Sequence, residues 1–333
     1  MRIPLQSPLD MHLHLREAEM LACVAPLSAR DFAGAVVMPN LISPVDSMHK
    51  LAQYRRDINK VCGQEVFTPY MTLFFKPYSL VELQEAKDEV IGLKLYPAGI
   101  TTQSEAGVSD FSEIEQTLQH MQELGIPLLV HGETNGFVMD REREFIDIYQ
   151  ELADNFPKLH IIMEHITTAD AVEFLDKHDN ISATVTLHHL LLTLDDVVGG
   201  FMQPDLFCKP IAKTPRDREA LRSAVFSGHP KLMFGSDSAP HPRHRKECVG
   251  CAAGVFTAPV ALPLLAQIFE EEDCLELLQP FVSDNACKRY HISVPDKQVV
   301  LEEKEWVVPE LYGNVRPFYG GERLRYAVAR EER

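Results

Sequence analysis

Two histidines separated by a single leucine stand near the beginning of the chain, in the stretch DMHLHLRE at residues 10–17. In a β-strand, side chains two residues apart point to the same side, so His12 and His14 can face one metal ion while Leu13 packs away from it. Alone, this pattern is more typical of a polar strand end than of a metal site. Ligand-type residues elsewhere in the chain shift the interpretation towards a metal.

Eight short apolar runs with strand character alternate with segments of helical periodicity. The runs occupy residues 4–9, 35–38, 67–75, 90–95, 127–130, 160–164, 181–186 and 231–234. This alternation predicts a (β/α)8 barrel of the TIM type, with a doubly wound sheet as the alternative. We expect residues 1–292 to form the barrel and residues 293–333 to form a short C-terminal extension packed on it. The phosphate-binding motifs G-x-G-x-x-G and G-x-x-x-x-G-K-[ST] are absent from the sequence, so nucleotide binding has no support.

Polar residues lie at or after the ends of most of these runs. They include His12, His14, Arg16, Asn40, Lys94, His131, His165, Asp237 and His241. The carboxyl ends of barrel strands and the loops that follow build the active site, so we expect these side chains to gather at one mouth. Imidazole and carboxylate ligands suit zinc and its neighbours. Lys94 fits such a site if carbon dioxide has converted its amine to an anionic carbamate; an ordinary ion pair is the alternative.

The composition narrows the range of partners. The chain has 333 residues, 45% hydrophobic content, a formal net charge of −17 and a pI near 5.2. Such acidity argues against nucleic acid and against an anionic membrane surface, although a few local Arg and His residues can bind an anionic small molecule. Apolar runs stay below the roughly 20 residues of a membrane-spanning helix, and residues 1–10 lack a signal-peptide layout. Seven scattered cysteines favour a reduced, cytoplasmic protein.

In their order and combination, the motifs resemble those of the dihydroorotases of the shorter, bacterial class, in the amidohydrolase superfamily. They are HLHLR at 12–16, VMPNL at 37–41, KLYPAGITT at 94–102, PLLVHGE at 127–133, EHITT at 164–168 and FGSDSAPH at 234–241. The resemblance covers most of the chain. It implies a homodimeric enzyme of pyrimidine biosynthesis that interconverts N-carbamoyl-L-aspartate and L-dihydroorotate, with loss of water on ring closure.

The resemblance also implies a role for each candidate residue. It implies two zinc ions bridged by a hydroxide and by the Lys94 carbamate, with Asp237 as the catalytic proton carrier. The remaining metal ligands form two sets: His12, His14 and Asp237 in the first, and His131 and His165 in the second. The implied substrate contacts are Arg16, Asn40, Thr101, Thr102, Lys209, His241 and Ala253. Thr101 and Thr102 lie in a polar loop that we expect to close over the substrate.

Other functions stay open at this point. A hydantoinase or allantoinase could share the metal ligands, but an uncharged hydantoin gives no reason for the predicted carboxylate-binding set. A mononuclear deaminase would leave Lys94 without a function, and a catalytically silent barrel would be expected to lack a ligand. The chain departs from the family pattern at three sites: Met11 replaces a Trp between Asp10 and His12, Lys209 stands where an apolar residue is common, and Leu187-His188 replaces a Pro-Gln pair before His189.

Overall fold

The computed structural model describes residues 1–100, 107–108 and 114–329. Its strands are β1 (Arg2–Gln6), β2 (Leu9–Leu13), β3 (Gly34–Val37), β4 (Thr68–Phe74), β5 (Gly92–Leu95), β6 (Leu128–Val130), β7 (Ile161–Met163), β8 (Ile181–Val185), β9 (Leu232–Phe234), β10 (Gln298–Val307) and β11 (Arg323–Val328). Its helices are α1 (Ala18–Asp31), α2 (Met48–Cys62), α3 (Leu80–Ala86), α4 (Glu115–Leu124), α5 (Arg141–Asn155), α6 (Ala169–Phe174), α7 (Leu187–Leu191), α8 (Leu194–Val198), α9 (Pro215–Phe226), α10 (Arg243–Lys246), α11 (Ala261–Glu271) and α12 (Asn285–Tyr290).

Strands β2 to β9 form one eight-stranded sheet in sequence order, and every neighbouring pair is parallel. The last strand returns to the first through a parallel bridge between Leu13 and Ser238. Beside this bridge, the backbone N–H of Asp237 donates to the carbonyl of His12 over 2.8 Å. A parallel sheet whose two edges meet is a barrel, so the predicted (β/α)8 architecture is confirmed.

Seven of the predicted runs overlap strands β3 to β9, whereas the first prediction, one strand over residues 4–9, was wrong. The chain instead forms β1, turns at Ser7 with a φ of 46°, and begins β2 at Leu9. Strand β1 pairs antiparallel with β10, which pairs with β11 in a separate three-stranded sheet. Local periodicity could not reveal this division because the partner of β1 lies at the other end of the sequence.

Alternation along the barrel strands decides which side chains face inward. In β6, Leu128 and Val130 pack among the barrel strands and helices, whereas Leu129 belongs to the apolar cluster inside the barrel. In β5, Leu93 and Leu95 belong to the same cluster as Leu128 and Val130, on the side of the strands that faces the helices. Lys94 lies between them, so its side chain points to the inside of the barrel. Strand pleating therefore directs the buried Lys94 into the barrel, which also holds an apolar cluster that includes Leu129, Ile162 and Met233.

Local signals define the ends of several helices. Ser47, Thr168 and Thr214 each accept a hydrogen bond from the backbone at the start of the helix that follows. Gly125 ends α4 in the left-handed conformation (φ 68°), which glycine adopts without steric cost. Among the helices described here, none is both long enough and apolar enough to cross a membrane.

Candidate metal centre and active site

Three buried side chains from opposite ends of the sequence direct their ligand atoms at one another. His14 Nε2 lies 3.0 Å from Asp237 Oδ1, and His12 Nε2 lies 3.5 Å from the same oxygen. The two histidine Nε2 atoms are 3.3 Å apart. A tetrahedral zinc ion with ligand bonds near 2.0–2.1 Å would hold its ligand atoms about 3.3 Å apart. The three side chains therefore fit a single ion.

The backbone around these ligands is fixed by bonds between β2 and β9. Asp10 accepts hydrogen bonds from Ser236, one from its backbone N–H (2.8 Å) and one from its hydroxyl (2.5 Å). Asp237 has a φ of 42°, a conformation that residues with a side chain rarely adopt. Such strain persists only where the surroundings impose it, and it is common at functional sites. Burial raises the pKa of Asp237, although His12 and His131 nearby act to lower it.

A second pair of ligands comes from the ends of β6 and β7. His131 Nδ1 lies 3.1 Å from His165 Nε2, and both side chains are buried. His165 has a φ of 43°, and its backbone N–H donates to Thr184 Oγ1 over 2.7 Å. The spacing of the two nitrogens fits two ligands of a second ion.

Lys94 lies among these ligands. Its side chain is fully buried, and within the described part of the chain Nζ has no hydrogen-bond partner. Burial lowers the pKa of this amine to about 8, while Glu164 and Asp237 act to raise it. This shift makes the neutral amine, the form that attacks carbon dioxide, more abundant near neutral pH than for an exposed lysine. A buried lysine nitrogen without a partner fits a group that is modified in the active protein.

Two buried glutamates, which the sequence patterns did not indicate as part of the site, contact two of the candidate ligand histidines. His12 Nδ1 donates to Glu164 Oε2 over 2.6 Å, and His131 Nε2 donates to Glu133 Oε2 over 2.8 Å. Each bond fixes the tautomer, so that the other ring nitrogen presents its lone pair to a metal. Burial acts to raise the pKa of Glu133, but its bond with His131 holds that pKa below the ordinary value. The available signal was adjacency, because both glutamates lie within two residues of a predicted ligand.

The predicted carboxylate-binding residues lie beside the candidate metal ligands. Arg16 Nη2 is 3.0 Å from His241 Nε2, which in turn is 2.9 Å from the carbonyl of Ala253. Lys209 Nζ donates to the carbonyl of Ile100 over 2.6 Å. One pocket is lined by His12, His14, Arg16, Asn40, Tyr96, His131, His165, Lys209, Asp237, Ala239, Ala253 and Gly254. Of the predicted site residues, Thr101 and Thr102 lie outside the described residues. Lys94 is fully buried and does not line this pocket, His241 contacts the lining residues Arg16 and Ala253, and the others line it.

The barrel carries its candidate metal ligands at the carboxyl ends of its strands, where enzymes of this fold have their active sites. The chain matches the amidohydrolase family over residues 9–283 and belongs to that family. It is a metal-dependent amide hydrolase.

Its relatives carry a more specific name. A dihydroorotase of Helicobacter hepaticus is 43% identical over 341 residues, with 99% of each chain covered. The crystal structure of a dihydroorotase of Campylobacter jejuni is similar with a TM-score of 0.95 and 55% identity, covering 99% of this chain and 98% of that one. A dihydroorotase of Saccharomyces cerevisiae, solved in complex with 5-fluoroorotic acid, gives a TM-score of 0.93 and 34% identity over 100% of this chain and 99% of that one.

Proposed function

We propose that this protein is a dihydroorotase that interconverts N-carbamoyl-L-aspartate and L-dihydroorotate, the third step of pyrimidine biosynthesis. The observation that carries the proposal is the position of Arg16 and His241 beside the metal ligands. A cyclic amide that also carries a carboxylate, bound with its amide group at the candidate metal ligands, would place the carboxylate beside Arg16 and His241. The names of the relatives support the same substrate.

The residues present suit two metal ions per subunit, for which zinc is our proposal. One would be held by His12, His14 and Asp237, and the other by His131 and His165, with the Lys94 carbamate between them. When bound, such metals lower the pKa of water and polarise the amide carbonyl. Glu164 and Glu133 keep the His12 and His131 rings in the ligand tautomer.

Asp237 is the residue that we assign to proton transfer. Its Oδ1 faces His12 and His14, and we assign Oδ2 to the reacting groups. In hydrolysis, Asp237 accepts a proton from the attacking water and gives it to the leaving ring nitrogen. In cyclisation the carboxyl group begins protonated and the proton moves in the opposite direction.

Substrate selection rests on the cationic side of the pocket. The Arg16 guanidinium offers a planar fork of donors that matches two carboxylate oxygens. Asn40 and His241 lie beside it and would complete the carboxylate site, while Ala253 and the backbone near Lys209 would contact the ring. A hydantoin has no carboxylate, so this arrangement favours dihydroorotate over the substrates of related cyclic amidohydrolases. The family resemblance also predicts a homodimer in the cytoplasm.

The decisive experiment measures hydrolysis of L-dihydroorotate and of hydantoin by protein of known metal content. We expect rapid turnover of dihydroorotate that chelation abolishes and zinc restores. Turnover of hydantoin alone would be consistent with the metal site but would overturn our assignment of Arg16 and His241 to carboxylate binding. Metal-replete protein that turns over neither compound would favour a catalytically silent barrel.

A further inference from the structure

A second group of metal-binding side chains lies outside the proposed reaction. His188 and His189 belong to the short helix α7 at the end of β8, and Cys208 lies in the connection before α9. All three are buried, with exposed fractions of 0%, 2% and 1%. One ligand atom from each lies within 4.8 Å of the others. Histidine and cysteine are the ligands that zinc prefers at structural sites.

The best-defined distance in this group fits a shared ion. Cys208 Sγ lies 3.6 Å from His189 Nε2. A tetrahedral zinc ion, with bonds near 2.3 Å to sulfur and 2.0–2.1 Å to nitrogen, would place these two ligand atoms about 3.5 Å apart. As a hydrogen bond, the same contact is long and involves a weak donor.

The His188 ring provides an independent observation. Neither Nδ1 nor Nε2 has a hydrogen-bond partner among the residues that the structure describes, although the side chain is fully buried. Buried polar groups almost always have a partner, and each exception needs a physical explanation. Burial lowers the pKa of His188 and lowers that of His189 to about 4, so both imidazoles are neutral near pH 7. Neutral imidazole is the form that binds a metal.

We propose that Cys208, His189 and His188 form a third metal site, separate from the two-metal centre, for a thiolate-preferring cation such as zinc. Binding releases the Cys208 thiol proton to solvent. In the structure described here, His189 Nε2 lies 3.0 Å from the carbonyl of Pro210. With the ion bound, this nitrogen would present its lone pair to the metal. Its proton then resides on Nδ1, which lies 2.9 Å from Thr186 Oγ1 and can donate to that oxygen.

Charges of both signs act on the site, because Asp237 and Glu133 act on His189 in the opposite sense to Lys213. Lys213 and Lys246 both act on this group, and Lys246 Nζ donates to the carbonyls of Phe207, Ala252 and Gly254. The Cys208 thiolate is the anionic ligand of the set and offsets part of the positive charge of the ion. A hard oxygen-seeking cation would lack ligands here, whereas zinc and its soft neighbours suit two imidazoles and a thiolate.

The site would have a structural role. Cys208 directly precedes Lys209, which lines the active-site pocket, and α7 follows β8 of the barrel. An ion shared by the two segments would fix one wall of the pocket to the barrel. The segment 208–210 would then be held by a metal in addition to its hydrogen bonds.

Cobalt substitution tests the proposal, because the two-metal centre has no sulfur ligand. Protein produced in cobalt-supplemented medium should show a thiolate-to-cobalt charge-transfer band. Cys208→Ser should remove the band and lower the metal content by about one ion per chain. The buried Cys62→Ser variant is the matched control and should change neither, and the exposed pair Cys248→Ser/Cys251→Ser should also keep the band.

Two results would overturn the third site: a charge-transfer band that survives in Cys208→Ser, or wild-type protein with a loaded two-metal centre and no band. If Cys208→Ser fails to fold, X-ray absorption at the zinc edge gives the same information on the folded Cys248→Ser/Cys251→Ser protein. A sulfur scatterer at about 2.3 Å supports the site, whereas nitrogen and oxygen scatterers alone contradict it. Dihydroorotate turnover without a sulfur signal would leave the proposed function intact and reject only this inference.

Discussion

Arg16 Nη2 lies 3.0 Å from His241 Nε2 although 225 residues separate them in the chain. The same imidazole nitrogen lies 2.9 Å from the carbonyl of Ala253. A neutral imidazole nitrogen either accepts or donates, so only one of these contacts is a hydrogen bond at a time. A carboxylate placed here could accept from both Arg16 and His241, which is why we regard the pair as an anion site.

Replacing Arg16 with lysine tests this role. We expect Arg16→Lys to raise KM for dihydroorotate roughly 10- to 100-fold, since a charge-assisted hydrogen bond contributes about 1.5–3 kcal/mol. The value of kcat should change much less, because the metal ligands are untouched. Steady-state kinetics on variants of equal metal content give the answer, with exposed Arg243→Lys as the control. An unchanged KM would contradict the carboxylate role.

Removing the Lys94 amine tests the proposed bridging carbamate. Lys94→Ala should lower kcat by at least about 100-fold, because two-metal catalysis contributes several kcal/mol to the transition state. Metal analysis should show a loss of bound ions. Wild-type protein equilibrated with ¹³C-labelled carbon dioxide should give a carbamate carbon signal in NMR that this variant lacks. Full activity with full metal content in Lys94→Ala would exclude the bridge.

Asp237 should give the two reaction directions opposite pH dependences. In the proposed mechanism its carboxyl group is protonated at the start of cyclisation and ionised at the start of hydrolysis. Cyclisation starts from that protonated form and should slow as pH rises through the pKa, whereas hydrolysis starts from the carboxylate and should accelerate. Initial rates in both directions across one set of buffers give the comparison. Parallel profiles would count against Asp237 as the proton carrier.

Glu133 should act through the metal affinity of His131. The bond of 2.8 Å from His131 Nε2 fixes the ring tautomer, and loss of such a partner typically weakens metal binding about 10- to 100-fold. Glu133→Gln should therefore lose metal at a lower chelator concentration than wild-type protein. Glu151→Gln, on the exposed face of α5, is the control and should match wild type. Equal chelator sensitivity in Glu133→Gln would leave that carboxylate without a role in metal binding.

His160 should make the fold sensitive to acid. Burial and then the nearby Arg289 lower the pKa of its ring to about 3, and Nε2 lies 2.9 Å from Ser182 Oγ. The unfolded chain would bind a proton near pH 6.5, so stability is fully present above that pH and falls progressively towards pH 3. We expect the unfolding temperature of His160→Gln to fall less than that of wild-type protein between pH 6.5 and pH 4.

The matched control for this prediction is His49→Gln, which changes an exposed histidine of α2. It should leave the pH dependence of the unfolding temperature as in wild-type protein. If the unfolding temperature depends on pH equally in wild-type protein, His160→Gln and His49→Gln, then His160 does not account for the acid sensitivity.

The sequence by itself determined the barrel and most of its proposed ligands. Strand pleating has a period of two, so His12-Leu-His14 already predicts two imidazoles on one side, and Leu93-Lys94-Leu95 directs the lysine inward. The carboxyl ends of parallel strands share one mouth, so strand-end residues such as His131 and Asp237 could be grouped without coordinates. These inferences need only local periodicity and one rule of topology.

Only the tertiary structure decided the relationships between residues far apart in the chain. It separated β1 from β2 by giving β1 a partner in β10, and it placed Glu164 against the ring of His12. It also brought His188 and Cys208 within reach of one another. None of these contacts leaves a local pattern, because the free energy that selects them comes from pairing and burial between segments whose separation in sequence is arbitrary.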